Sequence, residues 1–243
     1  MDNQELLKKI EILEKEVRRQ SYFTDMQEIQ MLHARYIYYL ENGRIAEVWD
    51  ELFAHDDPDV RMEIMDAGAY IGPEHVKRAW YTMARKVDMD GKPVTASESR
   101  MSNTNIPMAN LFLMLTISTP LVVVEKDGKK AHGQWHLFGP HTNRVFDPET
   151  STKRDVAFWI AGKYDNEYVK VDGVWKIKKL RAICWIRSPF DQGWLRNPDC
   201  RRTPSPFWPP DEPGRINSFN PDESPNPAKW GPPPPDQINY NEE

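Results

Sequence analysis

The pattern of hydrophobic and polar positions changes along the chain, from helical spacing at the start to strand-like alternation after residue 94. Leu6, Ile10, Leu13 and Val17 recur at alternating spacings of four and three, with lysine and glutamate between them. This pattern predicts a first helix with a short heptad seam, too short for an independent coiled coil. The helix is expected to pack on its own domain or on a neighbouring subunit, and we favour the subunit.

Three more helices are predicted before the long strands begin. Thr24 fits the first position of a capping box and opens a second helix, which ends before Gly43. A third helix is predicted over residues 44–53, and Pro73 opens a fourth, because proline suits the first helical turn. A short strand is predicted between them at residues 61–65.

After residue 94, four segments show the alternation of long strands. Two of the connections contain Asp-Gly pairs, at residues 127–128 and 172–173, which are typical of hairpin turns. Helices followed by an antiparallel meander predict an α+β domain, in which three to four N-terminal helices pack on a conical, curved antiparallel sheet. The space between helices and sheet is the expected pocket.

The chain is predicted to have three parts: a helix at residues 1–21, the α+β domain at 22–190 and a Pro-rich arm at 191–243. Thirteen of the 21 prolines follow Asn197, so this last part cannot form a sheet interior or a long helix. Beyond Asn197 it keeps five large aromatic residues, which favours an extended arm wrapped around the domain or a neighbouring subunit. A flexible tail is the alternative.

Charge and composition exclude several function classes. The net charge of -5 argues against a nucleic-acid binder. No run approaches the roughly 20 apolar residues of a membrane span, and the charged start contains no secretory core. Cys184 and Cys200 form neither a disulfide framework nor a zinc motif. We therefore expect a cytoplasmic protein that binds neither nucleic acid, nor membrane, nor a metal.

The second predicted helix carries unusual polar chemistry. Tyr36, Tyr38 and Tyr39 bring three hydroxyls, and Glu41 a charge, to a segment whose apolar pattern indicates partial burial. Buried polar groups need partners, so this stretch is either a structural network or the wall of a site. Glu41 stands in the last turn, where the helix dipole disfavours a negative charge. Tyr39 is better placed than Tyr38 to share the face of Tyr36.

Two histidines on the second long strand are candidates for proton transfer. His136 and Trp135 are adjacent and therefore face opposite sides of the sheet. An inward His136 would be the best general base on the chain, whereas a surface or interface position is the alternative. His141 follows Gly139-Pro140 in a segment that could close the mouth of the pocket.

The last long strand places cationic and aromatic residues at alternating positions. Those that share one face are Arg181, Ile183, Trp185 and Arg187. Two arginines and a tryptophan suit a cavity that holds an aromatic ring beside an oxygen-rich group. The alternative is that this face meets solvent while Cys184 and Ile186 pack inward.

The order and spacing of several segments resemble the SnoaL-like branch of the nuclear-transport-factor-2-like superfamily. The segments are RYIYYLENGRIAEVWDELFA, GPEHVKRAW, AHGQWHLFG and YDNEYVKVDGVWKIKKL, within residues 22–190. The resemblance implies a conical α+β barrel, assembly as a homo-dimer or homo-trimer, and chemistry without cofactor or metal. Its enzymes include scytalone and bile-acid dehydratases, polyketide cyclases and a lyase of lignin-derived diarylpropanes, and other members only bind or assemble.

The resemblance also assigns roles to residues. Tyr36 takes the place of a tyrosine that polarises a leaving oxygen, and Glu41 replaces the usual aspartate that orients a base or water. The first histidine of the dehydratases has no counterpart, since Asn110 stands near its position, and the second falls at Trp135 or His136. The residues expected to be catalytic are Tyr36, Glu41, His136 and Arg187. Those expected to contact substrate are Tyr39, Trp49, Asn110, Trp135, His141, Arg181 and Trp185.

The expected function is therefore a cofactor-independent lyase that removes water from a hydrophobic phenolic or aromatic substrate. A para-phenol allows a benzylic hydroxyl to leave through a quinone methide, which removes the need for the missing histidine. It also allows loss of formaldehyde, as in the diarylpropane lyase. The alternatives are a ketosteroid-isomerase- or polyketide-cyclase-like enzyme and a non-catalytic ligand-binding or assembly module.

Overall fold

The computed structural model describes residues 2–65, 68–84, 92, 112–147, 152–196 and 210–214. The helical segments are α1 (Asn3–Glu41), α2 (Ile45–Glu47), which continues as a π-helical turn (Val48–Leu52), and α3 (Pro73–Met83). The strands are β1 (Arg61–Ile64), β2 (Ala69–Ile71), β3 (Phe112–Leu113), β4 (Thr116–Val124), β5 (Lys130–Asp147), β6 (Thr152–Val171) and β7 (Val174–Pro189).

The first two predicted helices form one continuous helix, so the predicted break at Thr24 is wrong. α1 runs for 39 residues, and Asp2 caps it by accepting a hydrogen bond from the Glu5 N–H at 2.8 Å. No glycine or proline interrupts residues 3–41, so nothing in the backbone stops the helix there. It ends at Asn42-Gly43 as predicted, where Gly43 has a φ of 69° that suits glycine.

The two halves of α1 have different surroundings. Residues 3–21 are exposed, whereas from Asp25 onward a residue is buried at nearly every third or fourth position. The buried members are Asp25, Ile29, Leu32, His33, Tyr36, Ile37 and Leu40. The second half of α1 is therefore the layer that covers the sheet.

The sheet is a curled, mixed half-barrel of seven strands in the order β2-β1-β7-β6-β5-β3, with β4 also paired to β5. The antiparallel meander of β5, β6 and β7 confirms the predicted α+β architecture. The sheet is mixed, because the short strand β1 pairs parallel to β7. The strand β2 was not predicted, since three residues are too short to show a period.

An extra residue in β7 changes which side chains face the helices. Ile160 of β6 pairs with Arg187, whereas Gly162 pairs with Cys184, so one more residue separates the partners on β7. Such a β-bulge reverses the alternation beyond it. Arg187 consequently lies on the inner face that packs against α1, while Arg181 lies on the outer face. The prediction that residues 181–187 alternate regularly with both arginines on one face is wrong.

Residues 210–214 of the C-terminal segment pack against the edge of this same domain. Glu212 forms an antiparallel bridge with Ala69, and the carboxylate of Asp211 accepts a hydrogen bond from Ile71 N–H at 2.8 Å. Gly68 makes this approach possible: it has a φ of 110°, and a Cβ there would lie 2.5 Å from Pro210. The rest of the Pro-rich segment lies outside the described residues, so its path stays a prediction.

A buried carboxylate at the start of the docked half joins α1 to the sheet. Asp25 accepts a hydrogen bond from Trp175 Nε1 at 2.9 Å and forms a short contact with Lys170 Nζ. Asp25 is buried, so its charge is compensated by these two donors and not by water.

The substitution Asp25→Ala should lower the free energy of unfolding by about 2–4 kcal/mol, because it leaves a buried indole N–H and a half-buried ammonium without an acceptor. Urea unfolding at neutral pH measures this loss. Glu28→Ala, at an exposed position on the same helix, is the matched control and should change stability by less than about 0.5 kcal/mol. Equal effects of the two substitutions would contradict the structural role of Asp25.

Candidate functional site

The inner face of the sheet and the docked half of α1 enclose a cluster of aromatic and polar side chains. Its members, here called the interior cluster, are His33, Tyr36, Trp80, Trp135, Tyr164, Asn166 and Tyr168, all buried. The His33 ring stacks on Trp135 with centroids 4.1 Å apart and meets the edge of Tyr164 at 4.8 Å. Tyr36 lies edge-on to Trp80 at 6.1 Å and to Tyr164 at 5.6 Å.

The hydrogen bonds of Asn166 determine the tautomer of His33. The Asn166 Oδ1 accepts a bond from the Arg181 N–H at 3.1 Å, so its Nδ2 must be the donor group. That amide donates to the Tyr168 hydroxyl at 3.0 Å and to His33 Nδ1 at 3.3 Å. Because Nδ1 accepts, the proton of a neutral His33 resides on Nε2.

The Nε2–H of His33 is a buried donor that has no hydrogen-bond acceptor among the described residues. The side chain is fully buried, and burial lowers the pKa of His33 from 6.5 to about 3, since the charged imidazolium would lose its hydration. His33 is therefore neutral near pH 7. A neutral N–H aimed into an aromatic interior is suited to bind an oxygen atom of a ligand.

Tyr36 and Tyr164 form a hydrogen-bonded pair of hydroxyls beside His33. Burial raises the pKa of Tyr36 well above its ordinary value, and the charge and hydrogen bond of Tyr164 raise it further. Burial also raises the pKa of Tyr164, while the bond from Tyr36 opposes that shift. The shared hydrogen bond thus raises the pKa of Tyr36 and lowers that of Tyr164, which identifies Tyr36 as the donor and Tyr164 as the acceptor. Both phenols stay protonated at neutral pH and can donate but not act as bases.

A second polar group lies on the same inner face. Arg187 Nε donates to His141 Nε2 at 3.0 Å, and the guanidinium lies over the Phe158 ring at 4.2 Å. The His141 ring stacks on Phe158 at 5.3 Å, and all three side chains are buried. Since Arg187 donates to it, His141 accepts at Nε2 and is neutral in this arrangement.

Glu41 is near the Arg187 end of the interior. Its Oε1 accepts a hydrogen bond from the Leu115 N–H at 2.8 Å. Leu115 in turn packs over Gly139, because a Cβ added to Gly139 would lie 3.2 Å from Leu115 Cα. Gly139, Ile160 and Arg187 stand in one row across β5, β6 and β7, here called the Arg187 row.

The polar groups thus occupy two rows of the inner face. Trp135, Tyr164 and Ala182 form the row beneath Tyr36, here called the Tyr164 row. Along β6 the two rows are four residues apart, or about 13 Å at the usual rise of a strand. Tyr36, Glu41 and Arg187 consequently make different contacts, with Tyr164, Leu115 and His141 respectively.

Several of the expected site residues lie elsewhere. Tyr39 donates to Glu51 in a short hydrogen bond and stacks on Arg44 at 4.1 Å, outside the interior. Trp49 is buried but packs on Phe53 at 5.6 Å, as part of the helical core. Asn110 lies outside the described residues.

The outer face of the sheet holds three more of the expected residues. His136 is exposed, and its ring lies 5.8 Å from that of Trp185, the bulge residue. Arg181 donates to Glu63 at 3.3 Å. His136 is therefore directed away from the interior cluster and is not available to a substrate bound there.

Sequence reasoning missed His33, Tyr164 and Asn166. His33 stands three residues before Tyr36, one turn of the same helix face, which was a usable signal. Tyr164 and Asn166 alternate on β6 with charged residues, a pattern equally typical of an exposed strand face. Only the register, which places Tyr164 opposite Trp135, shows that they point inward.

A family model described as the SnoaL-like domain matches residues 21–181. The chain belongs to the SnoaL-like family. The match spans α1 from its docked half to the middle of β7 and includes the interior cluster. A search of curated proteins finds no match to this SnoaL-like protein.

Three solved structures illustrate its similarity to known folds. A protein from Novosphingobium aromaticivorans DSM 12444, provisionally assigned as a scytalone dehydratase, is 16% identical, with a TM-score of 0.49 over 76% of this chain and 99% of its own. A type 2 hexachlorocyclohexane dehydrochlorinase (LinA) is 19% identical, with a TM-score of 0.45 over 71% and 93%. A nuclear transport factor 2-like protein from Salmonella enterica is 15% identical, with a TM-score of 0.41 over 65% and 89%.

None of the described helices combines the length and the apolar character that a membrane span requires. Among all the described residues, no group of three or more His, Cys, Asp or Glu side chains is arranged to hold a metal ion.

The burial of His33 predicts a pH-dependent stability. In the folded protein His33 takes up a proton only near pH 3, whereas in the unfolded chain it does so near 6.5. Between those values the unfolded state binds the extra proton, so the free energy of unfolding falls as the pH is lowered, by up to about 1.4 kcal/mol per unit. Above 6.5 this contribution is fully present.

The free energy of unfolding, measured by urea unfolding at several pH values between about 4.5 and 6, should therefore depend less steeply on pH in His33→Gln than in the parent protein. The difference in slope corresponds to up to one proton. His136→Gln, at an exposed histidine, is the control and should leave the slope unchanged. An identical slope in His33→Gln and the parent would show that His33 is not held neutral by burial.

Proposed function

We propose that this SnoaL-like protein is a cofactor-independent lyase, which eliminates water from a hydrophobic phenolic substrate bound between α1 and the inner face of the sheet. The observation that carries the proposal is the burial of two polar groups on that face, Tyr36 with Tyr164 and Arg187 with His141. A core built only for stability favours apolar residues, because a buried arginine or phenol costs free energy unless its partners compensate for it.

The hydroxyl pair of Tyr36 and Tyr164 is suited to assist a leaving oxygen. The raised pKa values keep both hydroxyls protonated, and Tyr36 already polarises Tyr164 through its hydrogen bond. A benzylic hydroxyl that accepts a hydrogen bond from Tyr164 can depart as water. Tyr164 then gives its proton to the leaving oxygen and takes the proton of Tyr36 in turn. His33 Nε2–H lies beside the pair and offers a further donor to the same oxygen.

Arg187 is suited to stabilise negative charge on the phenol oxygen of the substrate. Loss of a benzylic hydroxyl from a para-phenol is easier when the phenol oxygen carries negative charge, and a fixed guanidinium favours that charge in a dry interior. Glu41, held at the same end by Leu115, is the proposed acceptor or relay for the phenol proton. His141 holds the guanidinium in place against Phe158.

The two rows are about 13 Å apart along the sheet, before side-chain reach is subtracted. The phenol oxygen and the benzylic hydroxyl that react are carried by one ring and are closer together than this, so the side chains of Tyr164 and Arg187 must span the difference. A second aromatic ring, as in a diarylpropane of the lignin type, would extend along the same inner face. The aromatic walls, including Trp135 and Phe158, suit ring stacking.

The reaction balances without an external oxidant or reductant. The phenol loses its proton and the benzylic carbon–oxygen bond breaks, with the hydroxide protonated to water, which leaves a quinone methide. Rearomatisation then returns an electron pair to the ring, as the neighbouring carbon loses either a proton or formaldehyde from a hydroxymethyl group. No net redox change occurs in either branch.

Incubation of the protein with diarylpropane diols, single-ring phenylpropane diols and hydroxylated steroids tests this function. We expect products of the two-ring substrates that have lost one water, or one water and one formaldehyde, as measured by mass spectrometry. A product of unchanged mass would instead indicate an isomerase or cyclase. Binding without any turnover would indicate a ligand-binding module, and either result would overturn the lyase proposal.

Variants then test the residues. Tyr36→Phe and Arg187→Gln should each lower kcat/KM by about 10²- to 10⁴-fold, because each removes a group that acts in the transition state. Tyr38→Phe is the matched control, since Tyr38 stands on the same helix but is 65% exposed, and it should retain full activity. Circular dichroism verifies that the variants are folded. Activity that survives in Tyr36→Phe would remove this hydroxyl from the mechanism.

A further inference from the structure

The N-terminal half of α1 has an apolar stripe that the described part of its own domain does not cover. Its side chains are exposed by 43% at Leu6, 41% at Ile10, 63% at Leu13 and 64% at Val17. Ile10, Leu13 and Val17 line a shallow groove together with Glu14 and Arg18. Because α1 is one continuous helix as far as Glu41, this half cannot fold back onto the sheet that the other half covers.

The stripe follows the heptad pattern of a coiled coil. With Asn3, Ile10 and Val17 at position a, Leu6 and Leu13 occupy position d. β-Branched residues at a with leucine at d favour parallel pairs of helices over larger bundles. A single asparagine at a, as at Asn3, is a known determinant of two-stranded pairing and register.

The charges beside the stripe complement a second copy of the same helix. Lys9 is at position g and Glu14 at position e of the next heptad. In a parallel pair, each g side chain meets the e′ side chain five residues further along the partner. Lys9 of each chain therefore faces Glu14 of the other, and twofold symmetry forms this pair twice.

The seam ends where the helix reaches its own sheet. Beyond Val17 the a and d positions become polar, at Gln20, Thr24 and Gln27, while Asp25 and Ile29 begin the buried face. Within about two helical turns, the apolar face of α1 thus changes from one that is exposed to one that packs on the sheet of its own domain. Ile12, at position c, lies outside the seam and is not explained by it.

We infer that residues 3–20 of α1 pair with the same residues of a second copy of this chain as a parallel, in-register two-stranded coiled coil. Fewer than three heptads would be marginal for isolated peptides, mainly because the first helical turn is costly to form. Here the docked half of α1 already holds the helix, so pairing does not bear that cost.

A cysteine at position 3 tests the pairing in the full chain. In a parallel pair the two a positions face each other across the axis, within the roughly 4.4–6.8 Å between Cα atoms that a disulfide needs. Asn3→Cys should therefore yield a disulfide-linked dimer in a glutathione redox buffer, as seen on a non-reducing gel. Gln4→Cys, at the outward-facing position b, should yield no more than the parent chain, whose own Cys184 and Cys200 set the background.

Substitutions on the Asn3→Cys background separate the seam from chance collisions. Leu13→Glu should reduce the linked dimer by about tenfold or more, because it buries two carboxylates against each other. Ile12→Glu is the matched control, since Ile12 is also 63% exposed, and it should have no effect. Lys9→Glu should weaken linkage, and Glu14→Lys added to it should restore linkage.

The pairing is overturned if Asn3→Cys links no better than Gln4→Cys, or if Leu13→Glu and Ile12→Glu behave alike. Failure of the double charge exchange to restore linkage would contradict the parallel register. These outcomes are independent of catalysis, because none of the substituted residues contacts the interior cluster.

Discussion

The docking of α1 on the inner face of the sheet is the contact on which the remaining structure depends. Three polar side chains make it: Asp25 with Trp175 and Lys170, His33 with Asn166, and Glu41 with the Leu115 N–H. Each is partly or fully withdrawn from water, so a shift of the helix by one residue would leave several buried groups without partners. These hydrogen bonds therefore fix the register of the helix on the sheet, while apolar packing contributes most of the stabilising free energy.

That fixed register explains why the proposed chemistry is found in this layer. Helix α1 brings Tyr36 over the Tyr164 row and Glu41 close to the Arg187 row, two places that the sheet separates. The β-bulge at Trp185 completes the arrangement, because without the extra residue Arg187 would face outward with Arg181. One inserted residue thus decides whether the interior has a cation.

The sequence predicted helices followed by long antiparallel strands, the hairpin turns and the family, because these depend on periodicity and local turn chemistry. It did not predict that α1 is continuous or that β2 exists. It predicted inward positions for Tyr36 and left open which of Trp135 and His136 would face in. It did not predict the bulge, since a single unpaired residue leaves no mark on the hydrophobic pattern. Asn166 was missed because its role arises from cross-strand register, which is a property of the folded chain, whereas His33 lies one turn before Tyr36 and could have been singled out from the sequence.

The central claim is that a phenolic ligand enters between α1 and the sheet and meets the interior cluster. Nuclear magnetic resonance of the histidine side chains during titration with a two-ring phenolic stilbene tests it most directly. The account predicts that the His33 Nε2–H signal, identified by its loss in His33→Gln, shifts downfield as this donor gains an acceptor, while the signal of His136 on the outer face stays unchanged. A shift confined to His136, with His33 unaffected at saturation, would contradict the account.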